Sequence, residues 1–246
     1  MIAMYGNYSN LYEDWCQCYD PTNVELRILN KYINFEGKKI LEIGCGTGRF
    51  TRRIASKAKV IKAIDNDELT IKWAQENMPL PNTEYVCCDA LSITDCFCGE
   101  QFDLIVYSWS INYIDDIRKS FQSALELLED GGQIVVMYTS LGEYELLMRA
   151  VLYDSRITDE GYEMTKNIFA EEAQLYCEDV VVTDFVFPDL NTAVQRITFF
   201  FDVDGCALMP DQEMFLRKEL AKRTRRNDSI SISDTVKILI GGKKDV

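Results

Sequence analysis

Apolar residues along the chain fall into two alternating patterns: short continuous runs bounded by turn residues, and longer stretches in which they recur every three or four positions. The first pattern predicts strands and the second amphipathic helices, and their alternation predicts an α/β domain whose largely parallel sheet is covered on both faces. Strands are expected over Lys39 to Ile43, Val60 to Ile64, Thr83 to Cys87, Phe102 to Tyr107, Gln133 to Tyr138, Val180 to Phe187 and Ile230 to Ile240. The fourth is almost wholly apolar, which places it centrally.

Between the strands, Thr22-Asn23-Val24-Glu25 reads as a capping box opening a helix through about Tyr32. A helix from about Asp67 to Asn77 is stopped by Pro79 and Pro81, Asp115 reads as the cap of a helix through Leu128, and another runs from Asp211 to about Arg223. Val194 to Phe201 is aromatic-rich and reads as helix or strand. No linker separates independent domains, so residues 1–246 are expected to form one domain, with 1–34 as a helical N-terminal lid. Residues 140–176, mostly helical in pattern, read as a cap between the fifth and sixth strands.

The first strand runs directly into Gly44-Cys45-Gly46-Thr47-Gly48 and a helix, an arrangement in which backbone N–H groups can approach a ligand closely. Dinucleotide-binding folds prefer G-x-G-x-x-G; here the spacing is G-x-G-x-G, an acid, Glu42, precedes it, and Arg49 stands where the third dinucleotide glycine would be. A nicotinamide oxidoreductase is disfavoured on that spacing. Asp65 ends the second strand, placed to accept from both hydroxyls of a ribose, and Asp89 follows the third, placed to accept from an adenine amine. Both sit at carboxyl ends of strands, where open α/β sheets bind ligands.

Together Leu41-Glu42-Ile43-Gly44-Cys45-Gly46-Thr47-Gly48-Arg49-Phe50, Ala63-Ile64-Asp65, Cys88-Asp89-Ala90, Phe102-Asp103-Leu104-Ile105-Val106 and Leu128-Glu129-Asp130-Gly131-Gly132 resemble the successive motifs of class I S-adenosylmethionine-dependent methyltransferases of the small-molecule type. The resemblance runs from about Thr22 to Thr139. It implies a Rossmann-like, seven-stranded, mostly parallel sheet with an antiparallel last strand, and S-adenosyl-L-methionine as cofactor. Position by position it implies a cofactor site of Glu42, Gly44, Cys45, Gly46, Gly48, Asp65, Asn66, Asp89, Ala90 and Ser108. Many small-molecule relatives carry His where this chain has Asn112-Tyr113. The chain also lacks the Asn/Asp-Pro-Pro-Tyr/Phe motif of relatives that methylate nucleobase or glutamine amide nitrogen. A methyltransferase-like module that binds cofactor without turnover is the competing class.

Composition narrows the chemistry. The 246 residues contain no His, which removes every His general base and every His-ligated metal. Asn112 and Tyr113 are therefore the expected orienting groups, with Tyr107, Tyr138, Asp115 and Glu143 as further candidates for a base. Twenty-six basic against forty acidic residues give a net charge of −14, a field that repels nucleic acid and anionic membranes and favours a cationic amine over a carboxylate or thiol as methyl acceptor. The expected partner is a small molecule or short peptide. Tyr5, Tyr8, Tyr12, Trp15 and Tyr19 read either as a lid over the cofactor or as the docking face of a helix. With no basic and apolar leader at Met1 to Trp15, a cytoplasmic protein is expected, and its nine cysteines as reduced thiols, without a metal. The basic run Lys222 to Arg226 reads as a solvated helix terminus.

Overall fold

A computed structural model of the chain describes residues 6–154, 158–203 and 207–244, so Tyr5 and Cys206 lie outside it. In chain order the elements are a 3-10 turn Gly6–Tyr8, α1 Ser9–Cys16, α2 Val24–Leu29, β1 Lys39–Ile43, α3 Thr51–Ile54, β2 Val60–Asp65 and α4 Glu68–Asn77. They continue as β3 Thr83–Cys87, α5 Ile93–Cys96, β4 Phe102–Ser108, a 3-10 turn Ile111–Tyr113, α6 Ile117–Leu127 and β5 Leu128–Thr139. The chain then forms α7 Glu143–Val151, α8 Glu160–Glu172, β6 Gln174–Phe187, α9 Leu190–Val203, α10 Pro210–Ala221 and β7 Ile230–Gly242. The seven strands make one sheet in the order β3-β2-β1-β4-β5-β7-β6, parallel except that β7 runs antiparallel to both of its neighbours.

Because side chains alternate along a strand, each face of the sheet builds its own core. Ile40, Leu104, Val106, Val135 and Ile238 meet α1, α2, α3 and α9 on one face. Leu41, Ile43, Ile105, Tyr107 and Val136 meet α6 and α8 on the other, where Phe121 and Phe169 pack edge to face at 5.3 Å. Alternation also puts Glu42 on the first face with Ile40, fully buried.

Two local readings change and one left open is resolved. The Thr22 to Glu25 capping box does not form: Asn23 is left-handed with no side-chain cap, and the Asp20 carboxylate instead accepts the Val24 and Glu25 N–H groups at 2.7 and 3.0 Å. Glu25 turns inward to Arg49 rather than back to its own helix, because the buried guanidinium is the stronger partner. The cap of α6 is Asp116, which accepts from Lys119 N–H at 2.9 Å, one residue later than expected, leaving Asp115 outside the helix. The segment over Val194 to Phe201 is helical, as part of α9.

Asp20, Glu25, Arg49 and Arg53 form a charge-balanced internal cluster: Arg49 meets Glu25 at 2.7 Å, and Arg53 meets Asp20 at 3.0 Å and Glu25 at 3.4 Å. Removing one member leaves another charge buried and unpaired. Asp20→Ala, which also strips the cap of α2, is expected to lower unfolding stability by about 3 kcal/mol in urea denaturation.

Two further acids are buried and form no ion pair among the described residues. Burial pushes the pKa of Glu42 up to about 7 from an ordinary 4.5, and that of Asp234 on β7 up to about 7 from 3.8. Between those ordinary values and pH 7 the folded chain holds protons that the unfolded chain has released, so these groups' contribution to stability is full in acid and is lost as pH rises through 7. Glu42→Gln should flatten the fall of stability with pH over that window, measured by urea melts at a series of pH values; an unchanged slope would contradict it.

Candidate cofactor and acceptor site

At the carboxyl ends of β1, β2 and β4 the chain leaves a cavity lined by the glycine loop, Asp65, Asn66, the Cys88 to Leu91 loop and the segment from Ser108 to Asp115. The loop is shaped by its backbone. Gly44 has φ +75°, and a Cβ there would come within 2.1 Å of Ser110 Cβ; Gly46 has φ +53°, and a Cβ there would sit 3.2 Å from the Tyr12 ring. Gly44 and Cys45 N–H groups both donate to Ile64 O at 2.8 Å, tying the loop to β2.

Asp65 holds the loop from the other side. Its Oδ2 accepts from Gly46 N–H at 2.9 Å and its Oδ1 from Asp67 N–H at 3.1 Å. Burial raises its pKa above the ordinary carboxylate value, while those N–H groups pull it down. A carboxylate has about four lone-pair sites, so two donors leave capacity for a diol facing the cavity. Asp89 is exposed at the rim, its Oδ1 accepting from Leu91 N–H at 2.7 Å. A diol acceptor, side-chain-free glycines and a rim acid along one cleft fit an adenosine with an amino-acid tail.

Seven of the ten residues expected on the cofactor line this cavity: Gly44, Gly46, Asp65, Asn66, Asp89, Ala90 and Ser108. Glu42, Cys45 and Gly48 do not. Glu42 points to the opposite sheet face and accepts from Thr51 Oγ1 at 2.6 Å; Cys45 is buried; a Cβ on Gly48 would meet the Tyr85 hydroxyl at 2.8 Å. Trp109, Ser110, Ile114 and Asp115 also line the cavity. Asp115 reads from the sequence both as a helix cap and as a candidate base, whereas Trp109 and Ser110 carry no local signal beyond following β4.

The N-terminal aromatics divide. Tyr12 lines the cavity over Gly46; Trp15 and Tyr19 are buried in the core against Phe185; Tyr8 is exposed and meets Phe199 edge-on. Helix α1 is clasped to the site by Glu13, which accepts from Thr47 Oγ1 at 2.8 Å and pairs with Arg52 at 2.7 Å, and by Asn10, which accepts from Trp73 at 2.7 Å. It is thus both docked helix and cavity wall, with the roles on different faces.

A second cleft shares Tyr113 with the first and runs past Asn112, Tyr138, Ser140, Glu145, Arg149, Asp154, Asp159 and Glu160. Asn112 donates to Thr139 Oγ1 at 3.4 Å, and Tyr113 is 55% exposed. Of the other base candidates, Tyr107 is fully buried with its hydroxyl on Ser120, and Glu143 is held by Arg223 and Ser233. Arg225 of the basic run meets Asp184. Cys88 and Cys96 are joined as a disulfide, contrary to the expectation of thiols throughout, because the end of β3 and the end of α5 fold onto each other. Among the described residues no three metal-ligating side chains converge, and no helix is long and apolar enough to cross a membrane.

Gly44→Ala combines a disfavoured φ with the collision at Ser110. It is expected to cost about 2 kcal/mol of stability and to abolish binding of S-adenosylhomocysteine in calorimetry.

Residues 41–136 match a family described as a methyltransferase domain. Phosphoethanolamine N-methyltransferase 3 of Arabidopsis thaliana is 30% identical over 131 residues, 53% of this chain and 25% of that protein. A ubiquinone biosynthesis O-methyltransferase of Coxiella burnetii is 23% identical over 141 residues, 52% of this chain and 58% of that one. The match therefore spans a quarter of the plant relative and little more than half of the bacterial one. Among solved structures, the N-methyltransferase NodS of Bradyrhizobium japonicum in complex with S-adenosylhomocysteine is similar in fold, with TM-score 0.54 and 16% identity over 96% of this chain and 98% of that one. A methyltransferase candidate from Bacillus halodurans has TM-score 0.59 and 15% identity over 91% of this chain and 100% of that one. With the motif order, the sheet order and the domain match in agreement, residues 41–136 form a methyltransferase domain of the class I, S-adenosylmethionine-dependent type.

Proposed function

We propose that this chain transfers the methyl group of S-adenosylmethionine to an amine on a small molecule or short peptide. The observation that carries the acceptor class is the acidic field of the chain, net charge −14, together with a second cleft that shares Tyr113 with the first and carries Glu145, Asp159 and Glu160 beside Arg149. Lys237 pairs with Asp159 and Arg149 with Glu145, and the chain's net charge of −14 favours the approach of a cation. One similar protein is named as acting on an amine, and another as an O-methyltransferase.

Asp65 is the group for the ribose hydroxyls, Asn66, Asp89 and Ala90 for the adenine, and Gly44, Gly46 and Ser108 for the amino-acid end. Bound there, the cofactor supplies a methyl carbon activated by a cationic sulfur. The chain's part is alignment: the glycine loop, Tyr12 and the turn after β4 enclose the reacting end and exclude water, so that donor and acceptor meet in line. An amine arrives as an ammonium at neutral pH and must lose its proton to attack. Tyr113 and Asp115, on the cavity wall beyond β4, are the ionisable groups placed to orient the ammonium and hold that proton, with Asn112 beside them.

The test is a labelled-methyl screen of the purified protein against amines, thiols, carboxylic acids and hydroxyl compounds. Incorporation into amines, increasing with pH as the free base becomes available, is the expected result. Labelling of hydroxyl compounds with no amine labelled would sink the amine reading.

A further inference from the structure

Arg49 follows the last glycine of the loop, yet it points inward rather than to the cavity. It is only 5% exposed, and its contacts reach three separate parts of the chain. Nη1 bonds Glu25 Oε2 at 2.7 Å, Nη2 donates to Ser108 Oγ at 3.1 Å, and the guanidinium lies 4.4 Å over the Trp109 ring and 5.1 Å over that of Tyr19. Glu25 completes the ring of contacts, since its Oε1 accepts from Trp109 Nε1 at 3.2 Å.

Trp109 needs such support. Its φ is +63°, a left-handed conformation that costs a bulky residue about 1–3 kcal/mol and persists only where the surroundings impose it. Its N–H is fixed to Met137 O at 3.1 Å as β4 leaves the sheet, and its ring is fixed by Arg49 and Glu25. The turn through Trp109 then delivers Ser110 onto Gly44, with Ser110 Oγ donating to Ile43 O. An ordinary backbone at Trp109 would carry Ser110 away from the glycine loop and open the cavity there.

We propose that Arg49 is a positioning residue: by bonding Ser108 and stacking on Trp109 it imposes the left-handed turn after β4 and so shapes the end of the cavity that takes the amino-acid tail of the cofactor. This rests on the cofactor placement given under Proposed function. Glu25 holds the guanidinium over Trp109 and bonds the indole itself. A lysine in place of Arg49 retains the charge but has no planar fork to serve Glu25, Ser108 and the indole at once.

The test compares two ligands by calorimetry. S-adenosylhomocysteine carries the tail, whereas 5′-methylthioadenosine carries the same adenosine and sulfur without it. In Arg49→Lys, the dissociation constant for S-adenosylhomocysteine is expected to increase at least about tenfold, while that for 5′-methylthioadenosine changes less than about twofold. The double variant Arg49→Met/Glu25→Gln removes both buried charges together, so that neither is stranded, and should show the same split if the lysine variant does not fold. Equal weakening of both ligands, as general loosening would produce, overturns the proposal, and so does no weakening of either. Parent protein that binds neither ligand overturns the cofactor placement itself, a failure visible before any variant is made.

Discussion

The structure hangs on a charge balance sealed beneath the glycine loop. Asp20 and Glu25 face Arg49 and Arg53 where water is nearly absent, and each side chain serves at least two segments of chain. Asp20 caps α2; Arg53 bonds the carbonyls of Tyr19 and Asp20; Arg49 joins the loop to the turn after β4. A buried ion pair of this kind adds little net stability over an apolar one, but it is unforgiving of partial loss. It ties the segment before β1, which contributes no strand, to the centre of the ligand-binding end. The N-terminal region is thus part of the site's foundation as well as its wall.

The missing histidine acquires a geometric context. Ionisable groups at the ligand-binding end are carboxylates and phenols, and most are already engaged: Asp65 by the loop, Tyr107 by Ser120, Glu143 by Arg223. Tyr113 lines both clefts and Asp115 the first. A site without imidazole is suited to orienting a nucleophile that needs only to shed a proton.

Much of this was legible in the sequence because it is encoded locally. The sheet's strands follow from apolar runs, and the positions of Gly44, Gly46, Asp65 and Asp89 follow from motif order at strand ends. What the sequence withheld is encoded between distant residues. Glu25 reads as a capping acid until Arg49 is seen across the core; Glu42 does not line the cavity because strand alternation turns it to Thr51; the cap of α6 falls on Asp116 rather than Asp115 because either acid caps a helix equally well in isolation. The N-terminal aromatics shared one pattern but took three different environments, set by which helix face met the sheet, the loop or α9.

The covalent link between Cys88 and Cys96 spans eight positions and encloses Asp89, Ala90 and Leu91, all on the cavity wall. A loop closed into a ring has few conformations left to lose. A ligand that contacts that wall meets a surface whose ordering entropy is reduced by a bond, so less of the contact energy is offset by immobilising the loop. At this wall the cavity is held by connectivity, whereas the turn at Trp109 packs against the buried Arg49 and Glu25.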